Sequence, residues 1–171
     1  MNSYSEQTGK ILEDAVAGMT DEQMSATRNG KWSAAQIIEH LSLAFGATAA
    51  GMERNCAAEK LDVRGRTMRD RVATLAVVSF GYIPTGRKAP DYTVPSGIAP
   101  AEAMRKMREN LVAMDAAIDR SEKKWGDQII AVHPVLGPLK ADQWRKFHMV
   151  HAQHHAKQIL AIKNTQQLAA S

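Results

Sequence analysis

Apolar positions recur at helical spacing along almost the whole chain, and no stretch alternates with period two for long enough to predict a sheet. The pattern predicts an all-α protein. A first helix over roughly residues 3–18 carries Ile11, Leu12, Ala15, Val16 and Met19 on one side. A short turn follows, where Thr20 and Gln23 stand at capping-box spacing, and Gly30 closes a loop. Ser33 and Gln36 repeat that spacing just before a stripe of Ile37, Leu41, Thr48 and Met52, so a long second helix is expected to begin at Ser33. His40 lies on the flank of the stripe, above Ala44, Ala47 and Gly51, small residues that would let another helix come close. A third helix over roughly residues 67–82 is expected to turn Met68, Val72, Leu75 and Ser79 inward. A fourth starts at Pro100, a favoured first helical residue, places Met104, Met107, Leu111, Met114 and Ile118 at near-heptad intervals, and stops at Gly126. The last is expected over roughly residues 141–161, with residues 164–171 as a polar, frayed tail.

Two connections are long. Residues 83–99 hold Pro84, Pro90 and Pro95 with Gly86 and Gly97, and connections beyond about 12 to 15 residues are uncommon unless functional or disordered. Two readings stand side by side: a lid over one end of a helical bundle, or an exposed Pro-rich span. Residues 127–140 include an apolar run, Ile129 to Val132, then His133-Pro134 and Gly137-Pro138, and predict one short extended segment against the bundle. There is no internal repeat and no low-complexity block, so the expectation is a single helical-bundle domain over residues 1–171, with an additional short helix and long loops.

Composition narrows the function classes. The 171 residues, 44% hydrophobic and 23% charged, suit one globular domain. The net charge of +4 comes from 22 basic and 18 acidic residues with interspersed signs, so charge alone does not point to nucleic acid. The basic stretch Lys60, Arg64, Arg66, Arg69 and Arg71 is interrupted by Glu59, Asp62 and Asp70 and reads as a solvated helix junction. No run approaches the roughly 18 apolar residues of a membrane span, and the first residues have neither a basic nor an apolar leader region. A soluble cytoplasmic protein, with neither nucleic acid nor membrane as partner, is expected. A single cysteine, Cys56, excludes an internal disulfide framework and a Cys-rich zinc module; about 24 Å of helical rise from His40, it reads as a packing residue. The methionines of the fourth helix read as core.

The histidines are uneven. Four of six, His148, His151, His154 and His155, fall within eight residues. His151 and His155 are one turn apart and about 40° around the helix, which lets both imidazoles reach one point. Trp144 and His148 share their face and Ile162 continues it, so the pair looks inward, while His154 is peripheral. Several buried neutral imidazoles need partners, and a divalent metal satisfies one nitrogen from each. A bundle with the second and last helices as neighbours brings His40 to the pair as third ligand. Three imidazoles suit zinc, nickel, copper or iron and leave a coordination position open, as catalytic sites do. His148 is either a partner in the hydrogen-bonding around the site, a satisfied core histidine, or the pocket's acid/base group. Gln158 is read as a donor to a metal-bound ligand or an ordinary polar residue, His133 as a loop residue, and Glu39 points about 100° away from His40 and is not expected to be the base.

The combination Trp32-Ser33 followed by Glu39-His40, with His151-x-x-x-His155-x-x-Gln158 on the last helix, resembles the DinB/YfiT-like superfamily of metal-binding four-helix bundles over most of the chain. The segment His133 to Leu139, followed by Trp144 and Phe147, together with the long Gly86 to Pro95 loop, is similar to one poorly characterised branch of it. Lys157 stands where many relatives carry a small residue, often glycine. The resemblance implies a divalent transition metal on His40, His151 and His155, zinc or nickel ahead of iron or manganese. It also implies thiol S-transferase, hydrolase or isomerase chemistry on a small molecule such as a low-molecular-weight thiol. Pairing of bundles into a homodimer is expected. The contrasting expectation is a non-catalytic metal-binding or scaffold protein, because no acidic residue other than Glu39 neighbours the three histidines in sequence.

Overall fold

Three capping boxes decide where helices begin. Thr20, Ser33 and Thr67 each accept from the backbone N–H three residues on, while Gln23, Gln36 and Asp70 reach back to the cap residue's own N–H. The computed structural model describes residues 1–27, 30–84, 86 and 88–170. In order they form α1 (Ser3–Val16), α2 (Asp21–Ser25), α3 (Ala34–Ala57), α4 (Met68–Thr74) running on into a π-helical turn (Leu75–Ser79), a 3-10 turn (Asp91–Thr93), α5 (Pro100–Trp125), β1 (Ala131–His133), β2 (Gly137–Leu139) and α6 (Ala141–Ala170). The chain is mostly helical, as its apolar spacing predicts.

α3 lies along α5, and α1 packs on α6. Where α3 meets α5, Asn110 fits over Gly46 and donates to the Ser42 carbonyl and hydroxyl at 3.1 and 3.0 Å. A Cβ on Gly46 would stand 3.3 Å from that amide, which makes this the glycine that sets the approach of the two helices. Leu12, Ile38, Leu41, Phe45, Met107, Met114, Ile118 and Ile159 fill the space between the helices and are fully buried. Each such side chain contributes about 1.5–3 kcal/mol on leaving water.

A charged group also lies in this interior. Arg145 is 2% exposed; it donates to Asp115 at 3.2 Å and Glu122 at 2.9 Å, and to Asp119. Asp115 in turn accepts from the Ser5 hydroxyl at 2.7 Å and the Asn2 backbone N–H at 2.8 Å. One buried ion pair thus joins the start of α1 to α5 and α6.

Several expectations are corrected. The connection between α5 and α6 is not one extended segment but an antiparallel hairpin, with Ala131 opposite Leu139 and His133 opposite Gly137. It is too short for a period-two signal and is held from outside, by Asn55 donating to the Ile130 carbonyl, Thr74 to that of Leu136 and Arg66 to that of Pro138. Gly137 has a φ of +77°, and a Cβ there would meet the Asp70 side chain, 2.7 Å from its Cβ. Only glycine fits that close approach.

The third predicted helix presents the opposite face. Met68, Val72, Leu75 and Ser79 are exposed, and Asp70, Thr74, Val77 and Val78 are buried. Asp70 is drawn inward by its capping bonds to Thr67 and by both guanidinium nitrogens of Arg64, at 2.6 and 3.0 Å. The π-helical turn then shifts the later residues off the 100° spacing on which the expectation rests. These contacts also correct the reading of the basic stretch as merely solvated, since Arg66 donates to the distant Pro138 carbonyl and Arg64 pairs with the buried Asp70. Residues 164–170 continue α6 instead of fraying, because Lys163 donates to the Ala17 carbonyl and Gln166 to that of Gln23. Ser171 of the expected tail, and Thr85 and Arg87 of the long loop, lie outside the described residues. No helix among the described residues is long and apolar enough to cross a membrane.

Candidate metal centre

α3 and α6 run side by side along a broad cleft of about 2190 Å³, closed on other sides by Trp32, by the 83–93 loop and by the β1–β2 hairpin. Ala44, Ala47 and Gly51 line this cleft, so their small size leaves space for it and does not admit a neighbouring helix as expected. At one end, His40, His151 and His155 converge with all three ligand atoms within 4.8 Å of one another. His151 Nε2 stands 3.4 Å from His40 Nε2 and 3.0 Å from His155 Nε2. Nitrogens around a tetrahedral ion with bonds of 2.0–2.1 Å stand about 3.3 Å apart, which these spacings bracket.

The hydrogen bonds on the far side of the rings decide which nitrogens face inward. His40 Nδ1 donates to the Thr93 carbonyl at 2.8 Å, and His155 Nδ1 donates to Gln158 Oε1 at 2.8 Å. A carbonyl can only accept, so both rings carry their proton on Nδ1 and turn an Nε2 lone pair towards His151. His151 Nε2 can offer one proton at most, and its Nδ1 is buried with no partner. Two lone pairs and at most one proton leave the trio under-satisfied by itself, whereas a cation satisfies all three nitrogens. The donor set therefore fits a divalent transition metal. Gln158 accepts from its histidine, correcting the direction of the expected bond, and its amide nitrogen approaches His154 Nε2 at 3.2 Å.

The electrostatics keep the imidazoles neutral. Burial pushes His151 well below the ordinary histidine range, and the neighbouring imidazoles add to it. Burial also lowers His40 against the Thr93 bond, and lowers His155 to about 4 against the Gln158 bond. Neutral imidazole is the metal-binding form.

His148, one turn before His151, is 1% exposed; its Nε2 meets the Thr48 hydroxyl at 3.0 Å and its Nδ1 has no partner. Thr48, placed among apolar residues by the sequence pattern, thus has a polar role on the cleft wall. Burial takes His148 to about 3, with nearby His133 a lesser contribution, and takes His133 to about 4. His133, expected in a loop, instead ends strand β1 opposite Gly137 and braces the hairpin turn. Its Nδ1 accepts from the backbone N–H groups of Val135 and Leu136, both at 3.1 Å, and its ring packs on Phe147 and Trp144. Cys56 Sγ meets Ser121 Oγ at 3.2 Å, away from the histidines.

His133 and His148 make stability pH-dependent. Both are neutral in the folded chain but titrate near 6.5 once unfolded. The unfolded chain therefore binds more protons from pH 6.5 down to about 4 for His133 and about 3 for His148. Stability is full above pH 6.5 and falls as the pH drops through that window, by about 1.4 kcal/mol per pH unit for each group. For chelator-treated protein, urea unfolding at pH 5 is expected to give about 2 kcal/mol less per histidine than at pH 7.5. Equal unfolding free energies at the two pH values would contradict it.

Glu39, which sequence reasoning set aside, and Thr93, which it missed, hold the site in place. Glu39 is 5% exposed and accepts from the Ser96, Gly97 and Ile98 backbone N–H groups and the Ser96 hydroxyl. Burial works to raise its pKa, but these bonds together hold the carboxyl below its ordinary value, as an anion already engaged. The expectation that it is not a base agrees with this. Of the two readings of the 83–99 loop, its contacts make it a wall of the site: Thr93 meets His40, and Ile83, Pro90 and Tyr92 line the cleft. The signal for Arg145 was available, since it interrupts the apolar face of α6 between Ala141 and Ala152, as Asp115 does that of α5 between Met114 and Ile118.

Comparison with curated proteins and with solved structures found no match. Among protein families, the DinB superfamily matches residues 5–159, a span that includes all three converging histidines and both walls of the cleft. The chain accordingly belongs to the DinB superfamily.

Proposed function

We propose that this protein is a metal-dependent enzyme in which His40, His151 and His155 hold a divalent transition metal through Nε2. Zinc or nickel is the first expectation, with iron or manganese next. The observation that carries the reading is the pair of Nδ1–H groups tied to Thr93 and Gln158, which turn two lone pairs onto His151 Nε2. In this reading α1, α3, α5 and α6 are the four helices of the superfamily's bundle. Three protein ligands leave a position open towards the cleft, the arrangement of catalytic rather than structural sites. When bound, such an ion supplies Lewis acidity, enough to ionise a thiol or to bring the pKa of a water towards 7. The chemistry proposed is thiol S-transfer or hydrolysis on a small molecule held in the cleft.

The chain's own groups bind and orient. Trp32, its ring centroid 5.1 Å from that of His40, and Phe147, stacked 5.5 Å from His151, give the substrate apolar surfaces beside the histidines and keep water from them. Of the three readings of His148, its bond to the Thr48 hydroxyl and the burial that lowers its pKa favour the neutral hydrogen-bond partner over the acid/base group. Protein loaded with zinc or nickel and screened for thiol conjugation and for ester and amide hydrolysis tests the reading. Turnover that chelation removes and metal restores supports it.

One observation favours the second reading, a metal-binding protein without catalysis. Asp62 is the one acidic residue lining the cleft among the described residues, and Glu39 is fully engaged by the loop. Stoichiometric metal with no turnover, and thermal stability that collapses on chelation, would decide for it.

A further inference from the structure

We propose that Glu39 is a positioning residue for the histidine site: by holding the backbone of Ser96 to Ile98 it sets the Thr93 carbonyl against His40 and keeps the His40 Nε2 lone pair turned towards His151 and His155. The inference rests on the metal-binding reading only for its effect on affinity; the hydrogen-bond geometry stands without it.

Glu39 and His40 are consecutive on α3 and point about 100° apart, yet both grip the same short piece of the loop. His40 Nδ1 donates to Thr93 O at 2.8 Å. Three residues further on, Ser96 N and Oγ donate to Glu39 Oε1 at 2.9 and 2.7 Å, and Gly97 N and Ile98 N donate to Oε2 at 2.8 and 3.2 Å. Successive backbone N–H groups folded around one anion form a nest, and the φ of +88° at Gly97 is what turns its N–H into line with its neighbours.

Both ends of this arrangement are anchored. α3 is fixed at its start by the Ser33–Gln36 capping box, and Thr93 is itself bonded to the Pro90 carbonyl through its hydroxyl, at 2.9 Å, and its backbone N–H. Thr93 is 3% exposed, so no bulk water stands ready to replace its carbonyl at His40. The grip on residues 96–98 leaves two residues, Val94 and Pro95, between it and Thr93, and Pro95 has a fixed φ. So short a tether transmits the position of one grip to the other. Without the carboxylate, the Thr93 carbonyl loses its register and His40 becomes free to carry its proton on either nitrogen. Only one of those tautomers presents a lone pair to the site.

The test is Glu39→Gln, which keeps the side-chain volume but replaces an accepting oxygen by an N–H2 group facing backbone donors. Two readouts are taken against the unsubstituted protein. In chelator-treated protein, nitrogen-15 NMR of the histidine rings is expected to show His40 as the Nδ1–H tautomer, giving way to a mixture in the variant. With zinc as the probe, chelator competition is expected to show affinity falling about 10- to 100-fold, the usual effect of losing a group that orients a ligand. A merely structural Glu39 would lower the melting temperature and leave the tautomer as it is. An unchanged tautomer, or a zinc affinity within twofold of the parent, overturns the proposal. If the parent protein binds no zinc, it is the metal-binding reading that fails, and the tautomer readout decides this proposal alone. Should Glu39→Gln not fold, Ser96→Ala removes a single bond of the grip and is expected to weaken zinc about two- to tenfold in the same assay, with no change overturning the proposal.

Discussion

Replacing His151 and His155 together by alanine is expected to abolish the retention of zinc or nickel that the proposed site would give the parent protein, at one ion per chain. The two residues supply two of three donors, and His40 alone offers one neutral imidazole, far too weak to retain an ion through dialysis. Loss of a group that only orients a ligand costs about 10- to 100-fold in affinity, so loss of two ligands exceeds that by a wide margin. The fold is expected to survive, because the histidines contribute little to the apolar interior built on Leu12, Ile38, Phe45 and Met114. Metal content after dialysis, measured by mass spectrometry with circular dichroism as the control for folding, reads the outcome. Full metal content in a folded double variant would sink the ligand assignment. His154→Ala is the internal comparison, since that ring lies outside the converging trio.

Arg145→Met is expected to destabilise the protein by about 3–5 kcal/mol, the cost of removing one partner from a buried ion pair. Asp115, whose side chain is 4% exposed, would remain in the interior as an anion held only by the Ser5 hydroxyl and the Asn2 N–H. Asp119 and Glu122 are nearly half exposed and can turn to water, so their share of the loss is small. At about 2–4 °C per kcal/mol for a chain of this size, the melting temperature should drop by roughly 6–20 °C. Combining Arg145→Met with Asp115→Asn removes both charges and is expected to recover part of the loss. A double variant no more stable than Arg145→Met would mean that the packing of the long arginine stem, not its charge, holds the three helices.

The helices were legible because their signals are local. The capping pairs Thr20–Gln23 and Ser33–Gln36 and the stop at Gly126 act within a few residues, and the core face of α5 follows from one period. The inner face of α4 was not, because a buried Asp70 and a π-helical turn override the apolar spacing, and both depend on partners elsewhere in the chain, such as Leu136 and Gly137. The hairpin was hidden for the same reason, each strand being three residues long and held by α3 and α4.

The site divides along the same line. His151 and His155 share a helix face by sequence arithmetic alone, and His40 joins them once two helices are taken as neighbours. What the sequence determined is the shared face of His151 and His155, because helical spacing is set by backbone geometry, while His40 reaches them through the packing of α3 beside α6. What the tertiary structure decided is their chemical state. The protons of His40 and His155 sit on Nδ1 because Thr93 and Gln158 accept them, and Thr93 is where it is because Glu39 holds the residues after it. The role of Glu39 could not be read from its spacing to His40, since a carboxylate pointing away from the site acts on it only through a loop that folds back from residues 93–98. Burial then makes these bonds matter: with water excluded, each polar group has one partner to choose, and that choice orients the lone pairs.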